Sequence, residues 1–213
     1  RRLDFWEVSA SAGIPSLSIG WWAAAPWPGA TVVENRAVFA RARGGVDADR
    51  IAIEMFENEA GKGFGLRTLY LPGCDITRDD PGTRLAAVEA VEKFLEELVG
   101  RAARGECTLV VLAVDSHPDS SAALGRMVVF DAGLERRTVR VRPEDAAPSI
   151  LARAGVPVAR DLGGKPVAVL FASGTLETAT VASYGSRVVP LAAAAPESDR
   201  EYLEKLKSLG YLQ

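Results

Sequence analysis

Apolar and polar positions alternate along this chain with two different periods, and the points where the period changes divide it into elements. Phe5, Trp6 and Val8 among polar neighbours predict a helix over Leu3 to Ala12 that stops near Gly13. Leu17, Ile19 and Gly20 predict a short strand running into the pair Trp21-Trp22, and the density of proline and glycine from Pro26 to Gly29 predicts a loop that carries Trp27. Asp47 to Glu59 reads as a short helix with Ile51, Ile53 and Phe56 turned inward. Gly61, Gly63 and Gly65 then break any regular period and read as a connection. No Lys-Ser/Thr pair follows them, so they do not match a phosphate cradle.

A strand over Arg67 to Leu71, a loop over Pro72 to Gly82 and a helix over Thr83 to Val99 form the clearest unit. In that helix Leu85, Val88, Val91, Phe94, Leu95 and Leu98 recur at three- and four-residue spacing. The run Thr108 to Val114 is apolar almost throughout, the pattern of a central parallel strand covered on both faces. Arg126 to Phe130 and Thr138 to Val141 predict further strands. Glu144 to Ala154 predicts a helix stopped by Gly155, Val167 to Phe171 a strand, Ala179 to Val189 an edge hairpin around Gly185, and Arg200 to Leu209 a last helix. No internal repeat is present. The order predicts one α/β domain over residues 1–213, with a mostly parallel central sheet flanked by helices and some antiparallel additions.

Composition narrows the function classes. The chain has 213 residues, 48% hydrophobic and 25% charged, which suits an ordinary globular protein. With 25 basic and 28 acidic side chains the net charge is -3, and no basic groove for a nucleic acid stands out. The densest basic run, Arg136, Arg137, Arg140 and Arg142, is explained by the solvated face of a strand. Cys74 and Cys107 form no CxxC pair, so a reduced compartment, and with it a cytoplasmic location, is the simpler expectation. The apolar stretches fall short of the roughly 20 residues a membrane helix needs. The chain opens on Arg1-Arg2-Leu3 without an initiator Met, from which an absent N-terminal portion is expected.

Several stretches together resemble the alkaline phosphatase superfamily, in its type I phosphodiesterase/nucleotide pyrophosphatase and sulfatase-like branches. They are Gly20-Trp21-Trp22-Ala23 with Val32-Val33-Glu34-Asn35-Arg36, then Leu69-Tyr70-Leu71-Pro72-Gly73-Cys74-Asp75. Arg142 to Ala152, with Gly155-Val156-Pro157-Val158-Ala159 and Leu162-Gly163-Gly164-Lys165-Pro166, resembles the family's late helix and glycine-rich exit. The likeness spans about Trp6 to Pro166. It implies a large central sheet flanked by helices, and phosphate, phosphodiester or sulfate esters as substrates. It also implies two metal ions, often zinc, and a serine or threonine nucleophile upstream of the tryptophan pair.

The same resemblance implies a metal-ligand set of Asp75, Asp79, Asp115 and His117, and departs from the family at several of these positions. Asp79 stands where the family has histidine, which changes the ligand charge and suits zinc less specifically than imidazole does. In Asp115-Ser116-His117-Pro118-Asp119, Ser116 separates the aspartate from the histidine and Pro118 replaces glycine. In an alternative register, Ser116-His117 matches the family's later serine-histidine pair. Each residue also has a structural reading. Asp75 caps its loop, Asp79-Asp80-Pro81-Gly82 turns into the next helix, and His117, the only histidine, packs or bonds locally. Ser116, Ser120 and Ser121 lack the glycines of a nucleophile elbow and are set aside as triad members. Of the adjacent tryptophans at least one is expected to be buried, since consecutive strand residues face opposite ways.

Two functions remain open at this point. One is a metal-dependent hydrolase-like domain acting on small phosphate or related esters with zinc or manganese. The other is a catalytically degenerate domain of the same fold, without metal, that contacts a protein partner or a second copy. In either case His117 is expected at the C-terminal edge of the central sheet, on the same side as Asp75. Neither nucleic acid nor a membrane is an expected partner, and no residue can be assigned as catalytic from the sequence.

Overall fold

The computed structural model describes residues 3–22, 25–77, 80–114, 125–135, 138–170, 179–186 and 196–208. The protein is a mixed α/β chain whose residues gather into two compact units. One comprises residues 1–94 and 185–213, the other residues 95–184.

The first unit is built on a three-stranded parallel sheet. Helix α1 (Phe5–Ser11) leads into β1 (Ser16–Ile19), and β2 (Ala30–Val33) pairs with one side of β1, Ser16 opposite Ala30 and Ile19 opposite Val33. Helices α2 (Asn35–Arg41) and α3 (Gly45–Asn58) follow, and β3 (Leu66–Leu69) returns to the other side of β1, Ser16 opposite Leu66 and Ile19 opposite Leu69. The spatial order is therefore β2-β1-β3.

β1 is the buried centre of this unit. Leu17 and Ile19 point to one face, where Val38 and Phe39 of α2 and Ala48, Ile51 and Ala52 of α3 close over them. Ser16 and Ser18 alternate with them onto the opposite face, so a strand of only two apolar residues is still buried throughout. The entry of α1 is fixed locally: the Asp4 N–H donates to Glu7 Oε2 at 2.8 Å, half of a capping box. Leu206 of α7 (Pro196–Ser208) completes the core, and the Tyr202 hydroxyl of the same helix donates to Asn35 Oδ1 at 2.9 Å.

After β3 come a single helical turn, α4 (Gly73–Ile76), and the long helix α5 (Pro81–Ala103). The apolar face expected on α5 is only partly buried. Phe94 packs edge-on against Phe56 at 5.8 Å and Ala87 is inaccessible, whereas Leu85 is 59% exposed and Val88 also faces solvent. Spacing identified the helix, but an Ala one position off the predicted stripe marks its contact line.

In the second unit β4 (Leu109–Val114) pairs antiparallel with β5 (Gly125–Phe130), Leu109 opposite Phe130 and Val114 opposite Gly125. This corrects the expectation of a central parallel strand at Thr108 to Val114. An apolar run without alternation fits any strand lacking a polar face, and its pairing partner is a nonlocal matter that periodicity does not encode. The ribbon is not covered on both faces either, since Leu112 is 45% and Val128 42% exposed.

Three other strand expectations change. Thr138 to Val141 has no regular structure. Ala168–Leu170 is a short 3-10 turn in place of a strand. The hairpin expected at Ala179 is instead a two-residue strand β7 (Thr180–Val181) pairing in parallel with β6 (Val158–Ala159), while residues 187–189 lie outside the described residues.

The late helix, α6 (Ala146–Arg153), is entered through a 3-10 turn, Pro143–Asp145. Asp145 organises this region. Its carboxylate accepts from the Arg142 guanidinium at 3.0 Å, the Arg142 N–H at 3.1 Å and the Lys165 N–H at 2.9 Å. One turn later Ser149 donates to the Asp145 carbonyl and accepts the Val167 N–H at 3.0 Å. Gly164 passes so close to Glu144 that a Cβ there would stand 1.9 Å from the Glu144 carbonyl oxygen, which makes glycine obligatory. The two motifs Arg142 to Ala152 and Leu162 to Pro166 are thus one structural knot. No helix among the described residues is long and apolar enough to cross a membrane.

Candidate functional site

Because β2 and β3 flank β1 on opposite sides, the connection leaving β1 turns one way and the chain arriving at β3 comes from the other. In an open parallel sheet such a reversal leaves a crevice at the carboxyl ends of the strands, the usual place for a ligand. Three segments meet at this edge: Gly20-Trp21-Trp22 after β1, Glu34-Asn35 after β2, and Tyr70 to Ile76 after β3.

Gly20 makes the edge possible. Its φ of 78° lies in the left-handed region, and a Cβ there would stand 3.0 Å from the Tyr70 carbonyl oxygen. Its N–H donates to the Val33 carbonyl at 2.9 Å, and the Tyr70 N–H donates to the Ile19 carbonyl at 3.0 Å, so the three strand ends are joined by main chain. The two tryptophans divide as expected for neighbours. Trp21 lies among Trp6 at 5.5 Å, Tyr70 at 5.7 Å and Phe5 at 6.2 Å. Trp22 leans on Phe39 at 5.5 Å but keeps 44% of its surface exposed. Trp27 is tied back to α1, its Nε1–H donating to Ser11 Oγ at 3.1 Å.

Buried polar atoms normally find partners. Among the described residues five do not: Trp21 Nε1, Asn35 Nδ2 and Asp49 Oδ2, associated with the ends of β1, β2 and β3 respectively, together with Trp6 Nε1, whose ring packs against Trp21, and Ser18 Oγ of β1. Asp49 belongs to α3, but its other oxygen accepts the Gly73 N–H at 2.8 Å, at the start of the turn that follows β3. The Asp49 side chain is wholly buried, and that burial pushes its pKa up to about 7, opposed by the Gly73 hydrogen bond.

Sequence reading passed over Asp49. Its signal was a carboxylate on the stripe Gly45, Ala48, Asp49 and Ala52, which recurs at helical spacing and is buried throughout.

Of the four expected metal ligands, the structure describes Asp75 alone. It sits exposed in α4, at the carboxyl end of β3 as expected, with its N–H donating to the Pro72 carbonyl at 3.0 Å. Asp79, Asp115 and His117 lie outside the described residues, and so does the expectation that His117 shares this edge. The neighbouring Asp80 has a structural task. Its carboxylate accepts the N–H groups of Gly82 at 3.1 Å and Thr83 at 3.3 Å and the Thr83 hydroxyl, capping α5, and these bonds lower its pKa.

The two unpartnered donors at the strand ends, an indole N–H and a carboxamide NH2, match acceptor oxygens, not a cation. Among the described residues no three His, Cys, Asp or Glu side chains gather where they could hold a metal ion. The described part of the edge therefore does not by itself fit the metal centre that the family resemblance implies, and no chemical step is drawn through a metal here. No protein-family model, curated protein or solved structure matches this chain.

Proposed function

We propose that this chain is part of an alkaline-phosphatase-like hydrolase, and that the carboxyl edge of β1, β2 and β3 binds a small phosphate or related ester. The observation that carries this reading is the buried, unpartnered pair of donors, Trp21 Nε1–H and Asn35 Nδ2–H, at the ends of adjacent parallel strands. Donors held out of water and without acceptors favour a ligand rich in oxygen, because binding it regains hydrogen bonds that folding gave up. The sequence resemblance supplies the ester class, and Asp75 at the end of β3 supports it by standing where that resemblance expects an acidic ligand. Within this proposal zinc or manganese would be held by Asp75 together with Asp79, Asp115 and His117.

Metal analysis of the purified protein, with a screen of phosphomonoesters, phosphodiesters and sulfate esters in zinc and in manganese, tests it. The expected result is metal-dependent turnover that Asp75→Ala reduces by at least about tenfold, the loss typical of removing a metal-held charge. A folded protein that turns over none of these esters in either metal would overturn the hydrolase reading. A second reading, a non-catalytic interaction domain of the same architecture, is favoured by Trp22, a large aromatic side chain left exposed beside the edge. It predicts a folded protein without metal-dependent turnover, whose partner binding survives Asp75→Ala and is weakened by Trp22→Ala.

A further inference from the structure

The junction between α3 and α4 is closed by two glycines and one carboxyl group. Gly45 at the start of α3 has no room for a side chain: a Cβ would stand 2.8 Å from Thr77 Cγ2 and 3.0 Å from the Gly73 carbonyl oxygen. Gly73 at the start of α4 has none either, since a Cβ there would stand 2.1 Å from Asp49 Oδ2. Thr77 folds back to donate to the Gly73 carbonyl at 2.7 Å, so the turn is tied at both ends. Asp49 is the polar group inside this contact, with Oδ1 bonded to the Gly73 N–H and Oδ2 buried without a partner.

A neutral acid tolerates that position, whereas a carboxylate does not. The lone pairs of an ionised Oδ2 need donors, and a buried charge without a counter-ion is far costlier than a buried neutral hydroxyl. Among the described residues no cation acts on Asp49, whose titration is set by burial and the Gly73 hydrogen bond. On its own helix Asp47 pairs with Arg50, and Arg41 of α2 pairs with Glu54. β1 carries no charge, and Arg67 of β3 donates to the Ala60 carbonyl. From the α4 side the Cys74 thiol is in electrostatic reach of Asp49, and is itself acted on by Arg84 and Asp75. With both glycines at contact, a charged Asp49 gains water only if the two elements part.

We propose that the α3–α4 junction is a proton-operated latch, closed when Asp49 is neutral and opened when it ionises, which frees the turn from Pro72 to Thr77 that ends at the sheet's carboxyl edge. Burial as the dominant influence on Asp49 puts its operating range near neutrality. The device is independent of any ester chemistry, and its test uses no activity.

Hydrogen exchange of the Gly73 amide, corrected for its intrinsic pH dependence, reads the latch in the whole protein. Between pH 5.5 and 8.5 the wild type should lose about tenfold or more of its protection there, the loss levelling off above about pH 7. Asp49→Asn keeps the acceptor for Gly73 and cannot ionise, so it should stay protected at both ends of the range. Gly73 protection in the wild type that does not change with pH would overturn the proposal, whether or not the variant folds. So would an equal pH-dependent loss in Asp49→Asn.

Discussion

Two aspartates in this protein pull its stability in opposite directions with pH, and the sign of each follows from what its carboxyl group touches. Asp49 has a folded pKa raised from 3.8 to about 7, so the folded chain holds a proton that the unfolded chain releases. Its contribution is greatest below about pH 4, falls as pH rises to about 7, and is flat beyond; the loss is on the order of a few kcal/mol. Asp145 is the reverse. The Arg142 guanidinium first, then the Lys165 and Arg142 N–H groups, hold it down at about 2. Its contribution is present above about pH 4 and is lost as pH falls through about 2. Urea unfolding at several pH values should therefore show Asp49→Asn flattening the limb between pH 4 and 7, and Asp145→Asn flattening the acid limb. If either variant removed the other's limb, the assignment of both groups would be wrong.

At the scale of elements, the turn before α5 shows what was readable and what was not. Asp79-Asp80-Pro81-Gly82 announces a turn into a helix, and Asp80 does cap α5. Asp80→Ala should fray the first turn, visible as faster amide exchange at Gly82 and Thr83 with the rest of the helix unchanged. An unchanged exchange rate at those two amides would show that the cap contributes nothing.

Most helices, and β1 and β3 of the first unit, were legible because each carries its own signal, a period, a stop glycine or a cap, whereas β2 enters only through the family resemblance. α2 has no counterpart in the sequence reading, since its seven residues follow directly on a strand and only Asn35-Arg36 enter, as part of the family resemblance. β6 was missed because two residues have no period at all, and β7, inside the expected hairpin, pairs instead with it, a partner about twenty positions away. Of the candidate site, Asp75, Gly20 and the tryptophans were legible as a motif. Asn35 stood in a quoted motif without a role and Asp49 in none, because their significance lies in bonds they fail to make, and a sequence does not display these.

For the whole molecule, the packed core and the apolar ribbon are different kinds of surface, although their sequences look alike. Phe39 is wholly inaccessible beneath Leu17 and Ile19 in the first unit, while Val128 in the second is nearly half exposed. Truncating Phe39 to Ala removes a buried ring and leaves a cavity, a change that costs about 3–5 kcal/mol in well-packed interiors. Truncating Val128 to Ala removes methyl groups already in contact with water and should cost less than about 1 kcal/mol. Each unit needs its own reporter. All four tryptophans, Trp6, Trp21, Trp22 and Trp27, lie in the first unit, so tryptophan fluorescence follows that unit's unfolding. In urea, Phe39→Ala should move the fluorescence transition to a much lower midpoint with the same slope, whereas Val128→Ala is read in its own unit, where hydrogen exchange of the β4 and β5 amides should stay within about 1 kcal/mol of wild type. A Val128→Ala loss of β4 and β5 protection as large as the stability loss from Phe39→Ala would mean that the ribbon is buried in solution, and the exposed faces of β4 and β5 would have to be redrawn as core.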